Sequence, residues 1–192
     1  MFISLEGIDG CGKTTQTQLF EGYKLNGNMF LTTREPTYGF IGKVIKKLLK
    51  EENIDGKEIQ LLFAADRAYH INTFIKPQIK KFNVISDRYI MSSLAYGMAS
   101  KLDIDWLEGI NSKFIQPDLY IIIDIDTKTA ISRLGERKNT DSFEKLEFLE
   151  NVKKAYKFLA ENYSNCFIVD GNKSVSEVHN SILKIIQEHN NI

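Results

Sequence analysis

The sequence predicts an α/β fold, a doubly wound five-stranded parallel sheet flanked by helices, and three observations predict it. Apolar runs suited to strands recur between helical stretches, the pattern of parallel βαβ units. One of them, "LYIIIDI" (119–125), carries isoleucine without polar alternation, as a strand covered on both faces requires. The third is "GIDGCGKTT" (7–15), which directly follows the first apolar run and fits G-x-x-x-x-G-K-[ST] with Gly7, Gly12, Lys13 and Thr14 at the fixed positions. At a glycine usage of about 7% such a match arises by accident in under about one per cent of chains of this length. The fold is therefore expected to be of the P-loop NTPase type, as one domain over residues 1–192.

In chain order, Phe2 to Leu5 of "MFISLE" is apolar enough for a buried strand. A helix is expected over "TQTQLFEGYKL" (15–25), where Leu19, Phe20, Tyr23 and Leu25 recur at roughly helical spacing. Further strands are expected at "MFLTTRE" (29–35), "NVISD" (83–87), "LYIIIDI" and "CFIVD" (166–170). Helices are expected at "GKVIKKLLKEE" (42–52), from Lys57 to Phe82, and at "SVSEVHNSILKIIQEH" (174–189), each with apolar residues three and four apart. Pro77 should kink or end the second of these. Trp106, Leu107 and Ile110 fit the buried stripe of another helix. His70, His179 and His189 have no partner at metal-ligand spacing and read as structural or surface residues.

Composition narrows the function. Lys plus Arg equals Asp plus Glu at 25 each, so no global field draws the chain to nucleic acid or to an anionic membrane. Glu6 and Asp9 interrupt the apolar N-terminus, and no run approaches the roughly 20 residues that span a bilayer. A soluble, cytoplasmic protein is expected. Only Cys11 and Cys166 are present, which argues against a disulfide framework or a zinc site.

Ligands of such sheets gather at the carboxyl ends of the strands. The first strand end carries Gly7, Ile8, Asp9, Gly10, Cys11, Gly12, Lys13, Thr14 and Thr15, the expected ATP-binding set. Glycines bring backbone N–H groups close to phosphate oxygens, and the following helix points its positive end at the same place. Lys13 can reach the outer phosphates, and the Thr14 hydroxyl can ligate Mg²⁺. The second strand end gives "TREPT", whose Arg34 can clamp an anion with its planar fork. The next gives "DRY", where Asp87 can hold Mg²⁺ through its waters and Arg88 can bridge phosphates. The last ends in Asp170 and Gly171, a turn suited to a purine base. A GTPase would need N-K-x-D, and "GNKS" (171–174) is followed by Val175 where the Asp should stand. Two phosphate subsites on a small domain suggest phosphoryl transfer between nucleotides.

At "FAADR" and "DRYIMSSLAY" the sequence resembles the thymidylate kinase family, which transfers the γ-phosphoryl of ATP to deoxythymidine monophosphate, dTMP. "FISLEGIDGCGKTT", "TREP", "LLFAADRAYH", "PDLYIIIDI" and "VDGNKSV" follow in the family's order over nearly the whole chain. The resemblance implies that Phe63 stacks on thymine and that Arg67 hydrogen-bonds its O4. Arg34 and Arg88 would hold the monophosphate, Asp9 and Tyr96 would address the deoxyribose, and the enzyme would be a homodimer. Residues 133–144, "RLGERKNTDSFE", look like the family's lid. No basic residue stands at the loop's free positions, so the charge for the transition state is assigned to Arg137, with Arg133 next. Two positions depart from many relatives: Ser142 replaces an Arg after the lid's Asp, and Gly97 replaces a Gln, which would leave a roomier pocket or pass polar contacts to Ser92 and Ser93. Two other functions fit parts of the pattern. One is a nucleoside kinase, separable by rates with thymidine against dTMP, and the other is a nucleotide-binding regulator without catalysis, separable by ADP release.

Overall fold

The computed structural model describes residues 1–51, 54–135 and 141–190, the side chains of 141–144 and 190 excepted. Strand β1 (Phe2–Glu6) leads through the phosphate loop into α1 (Lys13–Phe20), followed by β2 (Lys24–Leu25) and β3 (Asn28–Arg34). Helices α2 (Phe40–Leu48), α3 (Gly56–His70) and the short α4 (Lys76–Gln78) cross over to β4 (Asn83–Asp87). Then come α5 (Ile90–Ala99), α6 (Ile104–Asn111), β5 (Leu119–Asp124), α7 (Thr127–Arg133), α8 (Asp141–Asn162), β6 (Cys166–Asp170) and α9 (Val175–Asn190). All five expected parallel strands are present, in the order β3-β4-β1-β5-β6, and β2 adds a two-residue antiparallel strand beside β3.

That extra strand corrects the first helix. Only Lys13–Phe20 is helical; Tyr23 lies in a turn and Leu25 belongs to β2. Asn26 and Gly27, both with positive φ, close a two-residue hairpin between β2 and β3, the geometry that Asn-Gly favours. Pro77 acts as expected. The helix loosens to a π-helical turn at Ile71–Ile75 just before it and ends after Gln78, since proline donates no N–H to the preceding turn.

The central strands β1, β4 and β5 are buried along their lengths, except for the half-buried Asp124 at the end of β5, which explains their near-continuous apolar sequences. Register then fixes the rim. Leu5 of β1 and Arg34 of β3 both pair with Asp87 of β4, so the ends of three strands deliver Glu6, Arg34 and Asp87 to one edge of the sheet.

Candidate active site

The phosphate loop closes around its own lysine. Lys13, almost fully buried, donates from Nζ to the carbonyls of Gly7 at 3.0 Å and Ile8 at 2.8 Å. Helix α7 packs so tightly beneath the loop that a Cβ on Gly10 would lie 2.5 Å from the Ala130 carbonyl oxygen, so only glycine fits there. In the first turn of α1, the Thr14 hydroxyl donates to Asp87 Oδ2 at 2.6 Å, which joins the first strand end to the third.

A cavity of about 540 Å³ opens over this loop. Asp9 to Thr15 form its floor, and Arg34, Asp87, Arg88 and Arg133 stand around it. The structure thus brings the residues of three strand ends around one cavity, and Arg133 joins them from the end of α7. Gln16, Leu134, Gly171, Lys173, Val175 and Val178 complete the wall; of these, Gly171 is the one that the sequence assigns to a ligand-facing turn. Among the described residues the buried Arg34 Nε has no hydrogen-bond partner, and its Nη1 reaches the Tyr38 hydroxyl at 3.4 Å. A buried, unpaired N–H is costly, and an anion in the cavity would satisfy it. Arg133, exposed at the end of α7, donates to the Gly10 carbonyl over a long 3.4 Å.

Arg88 is held far more firmly. Its Nη1 donates to the Gly7 carbonyl at 3.1 Å and Ser92 Oγ at 2.9 Å, and its Nη2 to Asp9 Oδ1 and to the Tyr96 hydroxyl at 3.3 Å. Tyr96 in turn donates to Asp9 Oδ2 at 3.1 Å. Partial burial works to raise the Asp9 pKa, but Arg88 and Lys13 more than offset it, so the carboxyl stays below the ordinary aspartate range. Burial raises the Tyr96 pKa above the usual phenol value, which keeps its proton on. Glu6, at the end of β1 and fully buried, moves the other way: desolvation outweighs the donors around it and raises its pKa.

The residues linked to the base by resemblance lie apart from the cavity. Phe63 is half-buried on α3. Arg67 is buried, with Nε on Glu35 Oε2 at 2.9 Å, Nη1 on Asn111 Oδ1, and Nη2 on the Tyr89 carbonyl at 3.1 Å and Ser93 Oγ at 3.0 Å. Glu35 also meets His70 Nδ1 at 3.0 Å, so this histidine is the structural residue expected. Gly97 does not widen a pocket. A Cβ there would meet the Leu107 methyls at 2.6 and 2.7 Å, because α6 fills the space. Ser92 turns to Glu6 and Arg88, and Ser93 to Arg67. Arg137 lies outside the described residues, as does the side chain of Ser142.

With this geometry in hand, comparison with known proteins becomes specific. A family model described as thymidylate kinase matches residues 5–182. The chain belongs to the thymidylate kinase family. Proteins named "Probable thymidylate kinase" include one from Pyrococcus abyssi (strain GE5 / Orsay), 44% identical over 97% of this chain and 95% of its own. Another, from Thermococcus onnurineus (strain NA1), is 42% identical over 97% of both chains. A solved thymidylate kinase from Ehrlichia chaffeensis superposes with a TM-score of 0.77 at 29% identity, covering 97% of this chain and 98% of its own. The P-loop sheet is the fold of the family.

Proposed function

We propose that this chain transfers the γ-phosphoryl group of ATP to dTMP by direct in-line displacement, giving ADP and dTDP for dTTP synthesis. The observation that carries this reading is the single cavity in which a phosphate loop faces two further arginines, Arg34 and Arg88, from separate strand ends. One phosphate cradle suits a donor, and a second set of cations across it suits an acceptor that is itself a phosphate. In-line transfer needs positioning and charge neutralisation rather than a covalent intermediate.

Lys13 would follow the transferring phosphoryl, with Arg88 between the two phosphates. The loop's backbone would hold the donor, and Gly171, Lys173 and Val175 would border its base. Thr14 and Asp87, already in contact, would hold Mg²⁺ together with phosphate oxygens and water. Among the described residues no group of three or more His, Cys, Asp or Glu forms a protein cage, which suits an ion held chiefly by its substrate. When bound, Mg²⁺ neutralises charge on the phosphate oxygens. Arg137 remains the assigned lid arginine, with Arg133 at the lid's near edge; Arg137→Ala is expected to lower kcat by about 10³.

Asp9 and Tyr96 would meet the deoxyribose, with Tyr96 against the 2′ position. Phe63 would stack on thymine, a contribution of roughly 1 to 3 kcal/mol. Arg67 would read O4 through the Nη1 proton not given to Asn111. Uracil lacks one methyl, so dUMP is expected to be a slower substrate by about 10- to 100-fold in kcat/KM. The chain is read as one kinase domain, cytoplasmic, in keeping with two free thiols. No helix among the described residues is long and apolar enough to cross a membrane. A homodimer is supported by exposed Phe40, Leu49, Leu61 and Tyr69 on and beside α2 and α3. No nucleic-acid partner is expected from a balanced charge.

The deciding experiment is coupled ADP release with ATP and Mg²⁺, offering dTMP, dUMP, dCMP, UMP and thymidine in parallel. Fastest turnover with dTMP and near inertness with UMP support the reading; a leading acceptor other than dTMP overturns the base and sugar contacts.

A further inference from the structure

Beneath the phosphate loop, Glu6 makes contacts that phosphoryl transfer leaves unused. Its Oε1 accepts from Ser4 Oγ at 2.7 Å and the Tyr89 amide at 2.9 Å. Its Oε2 accepts from Ser92 Oγ at 2.6 Å and the Tyr156 hydroxyl at 3.3 Å. Ser92 Oγ also accepts from Arg88 Nη1 at 2.9 Å and lies 2.9 Å from the Tyr156 hydroxyl. A serine hydroxyl has one proton and two lone pairs. With the proton committed to Glu6, the lone pairs face Arg88 and Tyr156, and the phenol proton must point inward. Burial by the cluster and the nearby carboxylate both raise the Tyr156 pKa, so that proton stays in place.

Arg88 is where these contacts converge. Its backbone is left-handed, with φ at 74°, a conformation side chains adopt only when their surroundings hold them there. The Arg88 amide is held by the Leu5 carbonyl at 2.9 Å, its carbonyl by Ser86 Oγ at 2.7 Å, and the next amide by Glu6. Its guanidinium is braced from below by Ser92. We infer that Glu6, Ser92 and Tyr156 are positioning residues for Arg88, setting the angle at which its guanidinium crosses the cavity. This rests on the reading that Arg88 meets the transferring phosphates. Tyr156 extends the device to α8, which also presses Phe148 against Tyr96 with ring centroids 6.1 Å apart. One helix therefore supports both partners of Asp9.

A double-variant cycle on the full-length enzyme, with ATP, Mg²⁺ and dTMP, tests this. Ser92→Ala is expected to lower kcat by about tenfold or more, the scale of a slightly misplaced catalytic group, with KM for ATP within about twofold. Tyr156→Phe keeps the ring packing and removes the hydroxyl that faces both Ser92 and Glu6, so a loss of about threefold or more in kcat is expected. In an Arg88→Ala background either substitution is expected to cost less than about twofold, since no guanidinium remains to be aimed. Equal losses in both backgrounds mark a cluster that only braces the fold and overturn the inference, as does parental kcat in both single variants. Where Arg88→Ala turns over too slowly, dTMP dissociation constants from calorimetry read the same cycle. Failure of the underlying reading looks different: Arg88→Ala by itself then keeps near-parental kcat.

Discussion

Glu6 and Asp9 stand three residues apart on either side of Gly7, and their surroundings drive them in opposite directions. Glu6 lies at the end of a buried strand, wrapped by hydroxyls and an amide, with its pKa raised by desolvation. Asp9 has a side chain 55% exposed at the cavity edge, paired with Arg88, and its pKa is lowered despite partial burial. Both carboxylates act on the same arginine, one from below through Ser92 and one from above by direct contact. The lesson is a division of labour: the enclosed carboxylate organises, whereas the open one is free to exchange its partner for a ligand.

Four measurements sharpen or break this contrast. The largest effect should come from Lys13, whose charge favours ionisation of both carboxylates. Lys13→Met is expected to lower kcat by about 10²- to 10³-fold, the cost of removing one oriented donor from a phosphoryl-transfer site; near-parental turnover would remove the lysine from catalysis. Next, Glu6→Ala strands the buried Tyr89 amide and is expected to cost about 2 to 3 kcal/mol in urea unfolding. Third, Asp9→Asn should be nearly neutral to stability, because an ion pair this exposed contributes about 0 to 1 kcal/mol. Its kcat/KM for dTMP should nonetheless fall by about tenfold, equivalent to about 1.4 kcal/mol. If Asp9→Asn destabilised as much as Glu6→Ala, the proposed division would collapse.

The smallest effect is a pH dependence of opposite sign. Glu6 has a native pKa above its unfolded value, so its ionised form subtracts stability near neutrality, and that cost is relieved as pH falls through the raised value. Against Glu6→Gln, the parent should therefore gain relative stability as the pH drops from neutrality toward the ordinary carboxylate range. Asp9 has a lowered native pKa, so its contribution is present above the unfolded value and is lost as pH falls through the native one. Against Asp9→Asn, the parent should lose ground only in acid below the ordinary aspartate range. Unfolding free energies from about pH 3 to 7 read both slopes, and parallel slopes would erase the distinction.

Local patterns carried most of the fold. All five parallel strands occur where apolar runs predicted them; in β1, β4 and β5 burial on both faces leaves that mark in consecutive residues, whereas β3 and β6 carry apolar runs although each buries only one residue fully. The hairpin was also legible, since Asn26-Gly27 is a strong turn signal; the apolar spacing of Tyr23 and Leu25 masked it. The cavity residues at the ends of β1, β3 and β4 were legible because strand ends converge on one rim, whereas Gln16 and Val178, on helices α1 and α9, carried no such signal. The supporting network was not. Glu6, Ser92 and Tyr156 are separated by up to 150 positions and meet only through the β1–β4 register and the packing of α8 on α5. Likewise nothing in "LLFAADR" shows that Arg67 is enclosed by Glu35 and Asn111. At Gly97 the residue across the gap decided the outcome, and Leu107 belongs to another helix.

The cavity draws its lining from Asp9 through Val178, that is, from both ends of the chain. A nucleotide bound there therefore samples only molecules in which every crossover of the sheet has closed. Occupancy becomes a thermodynamic clamp on the whole fold: at a ligand concentration about 100 times Kd, the native state gains about 2.7 kcal/mol. Resistance to unfolding in the cell then follows the supply of the enzyme's own substrates.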